Sequence, residues 1–273
     1  MAKDIKEITE QLEQGVKGIF TSGRYEEYLR CMGKFYHYST NNCVLILMQK
    51  PDASLVAGYQ SWQKNFGRQV RKGETGIKIL APCPHKVTKE VKDADGNTEE
   101  KEIKWTSFRA VTVFDVSQTD GKEIPDILSK LEGTVDGYKG IIDKLFEVSP
   151  VPVVFEKING SANGFYSFAE KKIAIREGLS EQQTVKTLIH EIAHSILHDM
   201  ENGEEKDADR ETKEVQAESV AYTVCNTLGL DTSEYSFGYI AGWSKGKEVK
   251  ELTESMEVIR KTAQTIIEGL QAA

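Results

Sequence analysis

Apolar positions in the first thirty residues recur every three or four steps, at Ile5, Ile8, Leu12, Val16 and Ile19 and again at Tyr25 and Leu29. That period predicts two helices, parted by the turn signal Thr21-Ser22-Gly23. A third apolar run, residues 44–48, is expected to stop at Lys50-Pro51, since the residue before a proline is pushed out of the helical region. After it the texture changes. Glycines at 58, 67, 73 and 76 punctuate short segments, residues 76–80 alternate, and strand-and-turn structure is predicted. The charged stretch 86–104 holds the turn signal Asp95-Gly96-Asn97 and leads into the strand-like residues 108–114, which together predict a solvated hairpin arm.

Turn residues between Asp120 and Pro125 mark a boundary near residue 124. Beyond it an amphipathic stretch carries Ile127, Leu131, Tyr138, Ile141 and Leu145. Strand-like segments follow at 151–155, 165–168 and 172–176, and three helical segments close the chain. The last of these, with Leu252, Met256, Ile259, Ala263, Ile266 and Leu270 on one stripe, is expected to pack on the elements before it, as is the aromatic stretch 235–243. The pattern predicts an α+β fold of two domains, residues 1–124 and 125–273, consistent with a length of 273 residues.

Charge sharpens this division. The whole chain carries −8, but residues 1–125 hold 19 Lys+Arg against 17 Asp+Glu, leaving 16 against 26 for the rest. The first half is therefore at +2 and the second at −10. Within the first half, Lys50, Lys64, Arg68, Arg71, Lys72 and Lys78 face only Asp52 and Glu74 over the same stretch. Cys31, Cys43, Cys83 and Cys225 are scattered without any C-x-x-C pair, which predicts free thiols in a reducing compartment. A polar amino terminus and the lack of any run of about 18 apolar residues predict a cytoplasmic protein with no membrane partner.

The chemistry concentrates at residues 180–198. Ser180 and Gln183 form a capping-box pattern, and Val185, Leu188, Ile189, Ile192, Ala193, Ile196 and Leu197 follow at the spacing of one buried helical stripe. On that helix His190-Glu191-Ile192-Ala193-His194 reproduces H-E-x-x-H, in which two imidazoles one turn apart share a Zn2+ ion. Glu191 falls beside them, where a carboxylate takes a proton from the attacking water and returns it to a leaving amine. A third ligand is expected from Glu214-Val215-Gln216-Ala217-Glu218, a helix whose Ala217 and Ala221 permit close approach. Glu214 is the preferred ligand and Glu218 the carboxylate that orients a ligand histidine, with the reverse assignment open. His198 is read as a helix-end residue near the negative dipole end. The pattern resembles the ImmA/IrrE-type metallopeptidases over roughly residues 151–230. This resemblance implies a strand beside the ligand helix that holds extended peptide, and Tyr166, Tyr222 and Tyr239 are candidate oxyanion donors.

In the first half, amides, cations and aromatics are interleaved. That mixture suits single strands, because aromatic faces stack bases while Lys and Arg track phosphates. No basic recognition helix for duplex DNA is visible. The motifs Y-S-x-x-N at 38–42, Q-x-P at 49–51, G-Y-x-x-W at 58–62, G-R-x-V-x-K-G-E-x-G-I-K at 67–78 and V-F-D-V-S-Q-T at 113–119 resemble the single-stranded-DNA-binding domain of ArdC-type antirestriction proteins. The resemblance covers about residues 5–125 and implies DNA contacts at Ser39, Asn42, Gln49, Tyr59, Trp62, Arg68, Lys72 and Lys78, to which the local charge adds Arg71. ArdC-like proteins join this domain to a zincin domain in this order, which implies a protein of a mobile genetic element that binds incoming single strands and evades restriction. Two other readings are carried: a passive single-strand protector with a non-proteolytic zincin fold, and a peptidase that cleaves a regulator.

Overall fold

The structure is a computed structural model that describes residues 2–92, 98–124 and 137–272. The first half opens with helices α1 (Ala2–Thr21), α2 (Tyr25–Lys34) and α3 (Thr40–Gln49). α3 starts on the Ser39 side chain, which accepts from the Asn42 amide, and ends where the proline signal predicts. Strand β1 (Val56–Gly58) then leads into α4 (Tyr59–Phe66) and β2 (Arg68–Val70), followed by the long pair β3 (Ile77–Lys92) and β4 (Thr98–Asp115) and by β5 (Thr119–Gly121). α4 corrects the strand-and-turn expectation. Its glycines flank a helix, with Gly67 at φ 62 closing it, and the tilted rings of Trp62 and Phe66 meet one turn apart at 4.9 Å.

β1, β4 and β3 form an antiparallel sheet in that order, and β2 pairs with β5. β3 and β4 stay in register over their whole length, from Ile77↔Val113 to Lys92↔Thr98, as the hairpin arm requires. Its predicted turn at Asp95-Gly96-Asn97 lies outside the described residues, as do Ile127 and Leu131.

The second half comprises α5 (Gly137–Val148), strands β6 (Val153–Glu156), β7 (Gly164–Ser167) and β8 (Lys172–Arg176), and helices α6 (Glu181–Leu197), α7 (Arg210–Thr227), α8 (Ile240–Trp243) and α9 (Val249–Ala272). β8 lies between β6, to which it is parallel, and β7, to which it is antiparallel, so β7 is a sheet edge. Ile173 and Ile175 of β8 are buried, as is the apolar stripe of α6.

One apolar core runs through both halves. α2 lies on α7, where the Tyr25 hydroxyl meets Ser219 Oγ at 2.9 Å. The Tyr25 ring packs edge-on against Phe237, and Phe20 meets Trp243. On the other side Arg260 of α9 bonds the Tyr36 carbonyl at 2.8 Å and Glu257, which accepts from the Thr40 hydroxyl. Burial of this apolar surface therefore crosses residue 124, and the amino-terminal helices pack directly on the second-half helices. Among the described residues no helix is long and apolar enough to cross a membrane.

Candidate functional site

Ser180 caps α6 as the capping pattern predicts, its side chain accepting from the Gln183 amide at 3.2 Å. The helix then runs unbroken through His190 and His194, whose Nε2 atoms face each other at 3.0 Å. α7 begins on an Asp209 cap and packs on α6, with its Ala217 and Ala221 fully buried. That packing brings a Glu214 carboxylate oxygen to 3.6 Å from His190 Nε2 and 3.8 Å from His194 Nε2. The candidate ligand atoms of His190, His194 and Glu214 all lie within 4.8 Å of one another. A tetrahedral ion at roughly 2.0–2.2 Å from each donor spaces its donors at similar separations, so the donor set fits a zinc-type centre.

Glu218 stands apart from this group. It accepts a hydrogen bond from the Tyr239 hydroxyl at 3.0 Å. The residue that touches a ligand histidine is instead His198, whose Nδ1 lies 2.8 Å from His194 Nδ1. Its Nε2 reaches Gln216 Oε1 at 2.9 Å, and Gln216 Nε2 donates to Ser255 Oγ. The Gln216 oxygen makes His198 a donor from Nε2, so His198 Nδ1 can accept from His194 Nδ1, a contact that orients the His194 ring with its Nε2 toward Glu214. Burial pushes the His198 imidazole down to about 4, which keeps it neutral as the relay requires. The sequence reading of His198 as a plain helix-end residue missed this. Its signal was the repeated four-residue step 190, 194, 198, which places three imidazoles on one face.

Electrostatics divide the three acids. Hydrogen bonds with His190 and His194 hold the Glu214 carboxyl well below the usual range, so it is an anion at neutral pH. For His190, burial opposes protonation, but the Glu214 bond and the charges of Glu191, Glu214 and Glu218 outweigh it and raise its affinity for a proton. Glu191 is only 8% exposed, and burial raises its carboxyl against the lowering pull of His190 and His194 and the Tyr166 backbone amide. A carboxylate raised toward neutrality suits proton transfer.

A groove of about 310 Å³ runs from His190 and Glu191 past Gly164, Thr187, Glu218 and Tyr235. Gly164 of β7 is required here, because a Cβ would meet Thr187 Cγ2 at 2.7 Å and the Ala174 carbonyl at 2.9 Å. Of the candidate tyrosines, Tyr239 alone is bonded to a groove residue, Glu218. Tyr222 is buried against Tyr235 and Phe237, and the Tyr166 hydroxyl is held by Asp199. Lys171 bonds the same Asp199 oxygen, fastening the β7–β8 turn to the end of α6.

In the first half the predicted contact residues separate into two classes. Asn42 and Gln49 face the outer edge of β3, each amide both donating to and accepting from one backbone position, Leu80 and Lys78 respectively. They stand in for a missing neighbour strand. Trp62 is fully buried and its indole N–H bonds the Phe114 carbonyl, so neither ring face is open to a base. Arg68 clamps Thr119, Gly121 and Lys122, and Arg71 binds Glu74, Asp120 and the Ser117 carbonyl. Asp115, also fully buried, accepts from the Ser54, Leu55 and Ser117 amides, which accounts structurally for much of the V-F-D-V-S-Q-T motif. Ser39, Tyr59, Lys72 and Lys78 remain exposed.

Comparison with known proteins agrees with both halves. Residues 2–114 match the family of the N-terminal domain of anti-restriction factor ArdC, and residues 146–227 match the IrrE N-terminal-like domain family. An uncharacterized protein of Bacillus anthracis is 29% identical over 97% of this chain, and the chain spans about half, 51%, of that relative's length. The crystal structure of the antirestriction ArdC protein from plasmid R388 superposes in its metal-free form with a TM-score of 0.54 at 21% identity, over 86% of each chain. Its Mn(II)-bound form gives 0.52 at 19%, over 85% of each. The chain thus matches an ArdC N-terminal domain followed by an IrrE N-terminal-like domain, and its mixed α+β fold resembles that of the R388 ArdC protein.

Proposed function

We propose that this chain is a DNA-associated zinc hydrolase of a mobile genetic element, which divides near residue 124 into a single-strand-binding half and a metallopeptidase half. The observation that carries the hydrolase reading is the convergence of His190, His194 and Glu214 beside the buried Glu191. The Mn(II)-bound form of the R388 protein supports a divalent ion in such a fold. When bound, zinc supplies Lewis acidity toward a carbonyl. Glu191 accepts a proton from the attacking water and delivers it to the leaving amine, and β7, as a sheet edge, offers its backbone to an extended peptide in the groove. Tyr239 is the preferred candidate to stabilise the oxyanion. The first half holds single-stranded DNA through its exposed rings and lysines, and the whole protein acts in the cytoplasm where incoming strands meet restriction.

Zinc titration of the full chain against a chromogenic chelator tests the metal assignment. The wild-type chain is expected to bind one ion. His198→Ala should weaken binding about 10–100-fold, since it removes the partner that orients His194. Glu218→Ala should bind as the wild type does. If Glu218→Ala loses the ion while Glu214→Ala keeps it, the two carboxylates exchange roles.

A further inference from the structure

β7 has a single neighbour strand, so half of its backbone groups face away from the sheet. The register fixes which half. The Arg176 amide donates to the Asn163 carbonyl at 2.8 Å, and Gly164 and Tyr166 stand opposite Ile175 and Ile173. In an antiparallel pair the bonded positions alternate, so the Phe165 amide turns toward Ala174 of β8 while those of Gly164 and Tyr166 point to the free edge. There the Tyr166 N–H acts on the Glu191 carboxylate of α6. The β7–β8 ladder alone does not set the height of this edge above the helix.

The Tyr166 side chain supplies that hold. Its hydroxyl donates to Asp199 Oδ2, just beyond the His198 cap of α6. The same oxygen accepts from Lys171 Nζ at 2.7 Å, and Asp199 Oδ1 accepts from the Glu201 and Asn202 amides at 3.0 Å. Asp199 is only 7% exposed, and the carbonyls at the carboxyl end of a helix disfavour an anion. Its donors offset this, and they come from two elements: Tyr166 and Lys171 from β7 and its turn, Glu201 and Asn202 from the chain leaving α6. Lys171 itself sits at φ 48, the only positive φ at a non-glycine among the described residues. A Cβ is disfavoured in that conformation, so the contact of its ammonium with Asp199 accounts for a lysine where glycine would be easier.

We propose that Tyr166, Asp199 and Lys171 form a buckle that fixes the free edge of β7 on α6, so that the Tyr166 N–H holds the Glu191 carboxylate in the groove. Tyr166 is then a positioning residue and not an oxyanion donor, since its hydroxyl is engaged by Asp199. The inference rests on Glu191 as general base, but the buckle is a matter of geometry that amide exchange reads without a substrate.

The test is amide hydrogen exchange, followed by NMR on the zinc-loaded full-length chain, together with hydrolysis of fluorescein-labelled casein. Tyr166→Phe removes the hydroxyl and keeps the ring. Asp199→Asn keeps an acceptor for the Glu201 and Asn202 amides and makes a donor of the atom shared by Tyr166 and Lys171. In both variants exchange of the Tyr166 amide should quicken by about tenfold or more, while the Phe165 amide keeps its wild-type rate. Zinc content should not change, and casein kcat should fall about 10–100-fold with KM within about twofold, as for a reacting group misplaced by about an ångström. Lys171→Arg should behave as the wild type, and Lys171→Gly, easier on the backbone, should behave as Tyr166→Phe. If the Tyr166 and Phe165 amides quicken together, the contacts only stabilise the sheet and the proposal is overturned, as it is if neither rate changes. A wild-type chain that leaves casein intact counts against the hydrolase reading alone, and the exchange rates still decide the buckle.

Discussion

His190→Ala and His194→Ala chains should carry almost no zinc after dialysis against trace metal, where the wild-type chain retains about one ion. Each substitution removes one of three protein donors gathered within 4.8 Å and leaves Glu214 facing a single imidazole. Glu191→Gln separates holding the ion from using it. The amide is nearly isosteric and Glu191 lies outside the donor group, so zinc content should stay at one, while peptide hydrolysis should fall by about 10²–10⁴-fold because an amide accepts no proton. Elemental analysis and a protein-cleavage assay on the same preparations check both. Full zinc in both histidine variants would place the ion elsewhere, and an active Glu191→Gln chain would remove the general base.

Trp62→Ala should destabilise the chain by about 3–5 kcal/mol, the usual cost of truncating a buried aromatic. The ring is fully buried beside Phe66, and its loss also leaves the Phe114 carbonyl without its indole donor. Tyr59→Ala, one turn earlier and half exposed, should change stability far less. Urea unfolding of the two variants makes the comparison. A Trp62→Ala chain as stable as wild type, with strand binding lost, would return the ring to the role that the sequence pattern suggested.

Much of the site was legible because helical spacing alone fixes it. The cap at Ser180, the stripe through Leu197 and the H-E-x-x-H pair follow from residues three and four apart on one helix, whereas the approach of Glu214 needs a second helix packed on it. Strands expected at 165–168 and 172–176 appear as β7 (Gly164–Ser167) and β8 (Lys172–Arg176). What the pattern could not reveal depends on long-range neighbours. Asn42 and Gln49, expected from the resemblance to meet nucleic acid, also close the edge of β3, and an amide in that place looks, in sequence, the same as one that meets a base. Only the placement of α3 against β3 distinguishes them. The internal partners of Arg68 and Arg71, carbonyls and Glu74, are likewise invisible in the local pattern. α4 was hidden by its flanking glycines, although Trp62 and Phe66 keep a one-turn step.

The packing of α1–α3 onto α7 and α9 was likewise outside any local pattern, since each stripe shows that a face is buried and not against what. This arrangement bears on experiments. Cutting at residue 124 would expose Tyr25, Phe20 and Leu29 on one side and Val220 and Ile259 on the other, so binding and metal measurements belong on the full chain.

The proposed metal centre lies between α6 and α7, and anomalous diffraction above and below the zinc absorption edge, from crystals of the zinc-loaded chain, tests it directly. The expected result is a single strong peak about 2.0–2.2 Å from His190 Nε2, His194 Nε2 and a Glu214 oxygen, with His194 Nδ1 still bonded to His198. A peak at other residues, or no peak between these three, would contradict it.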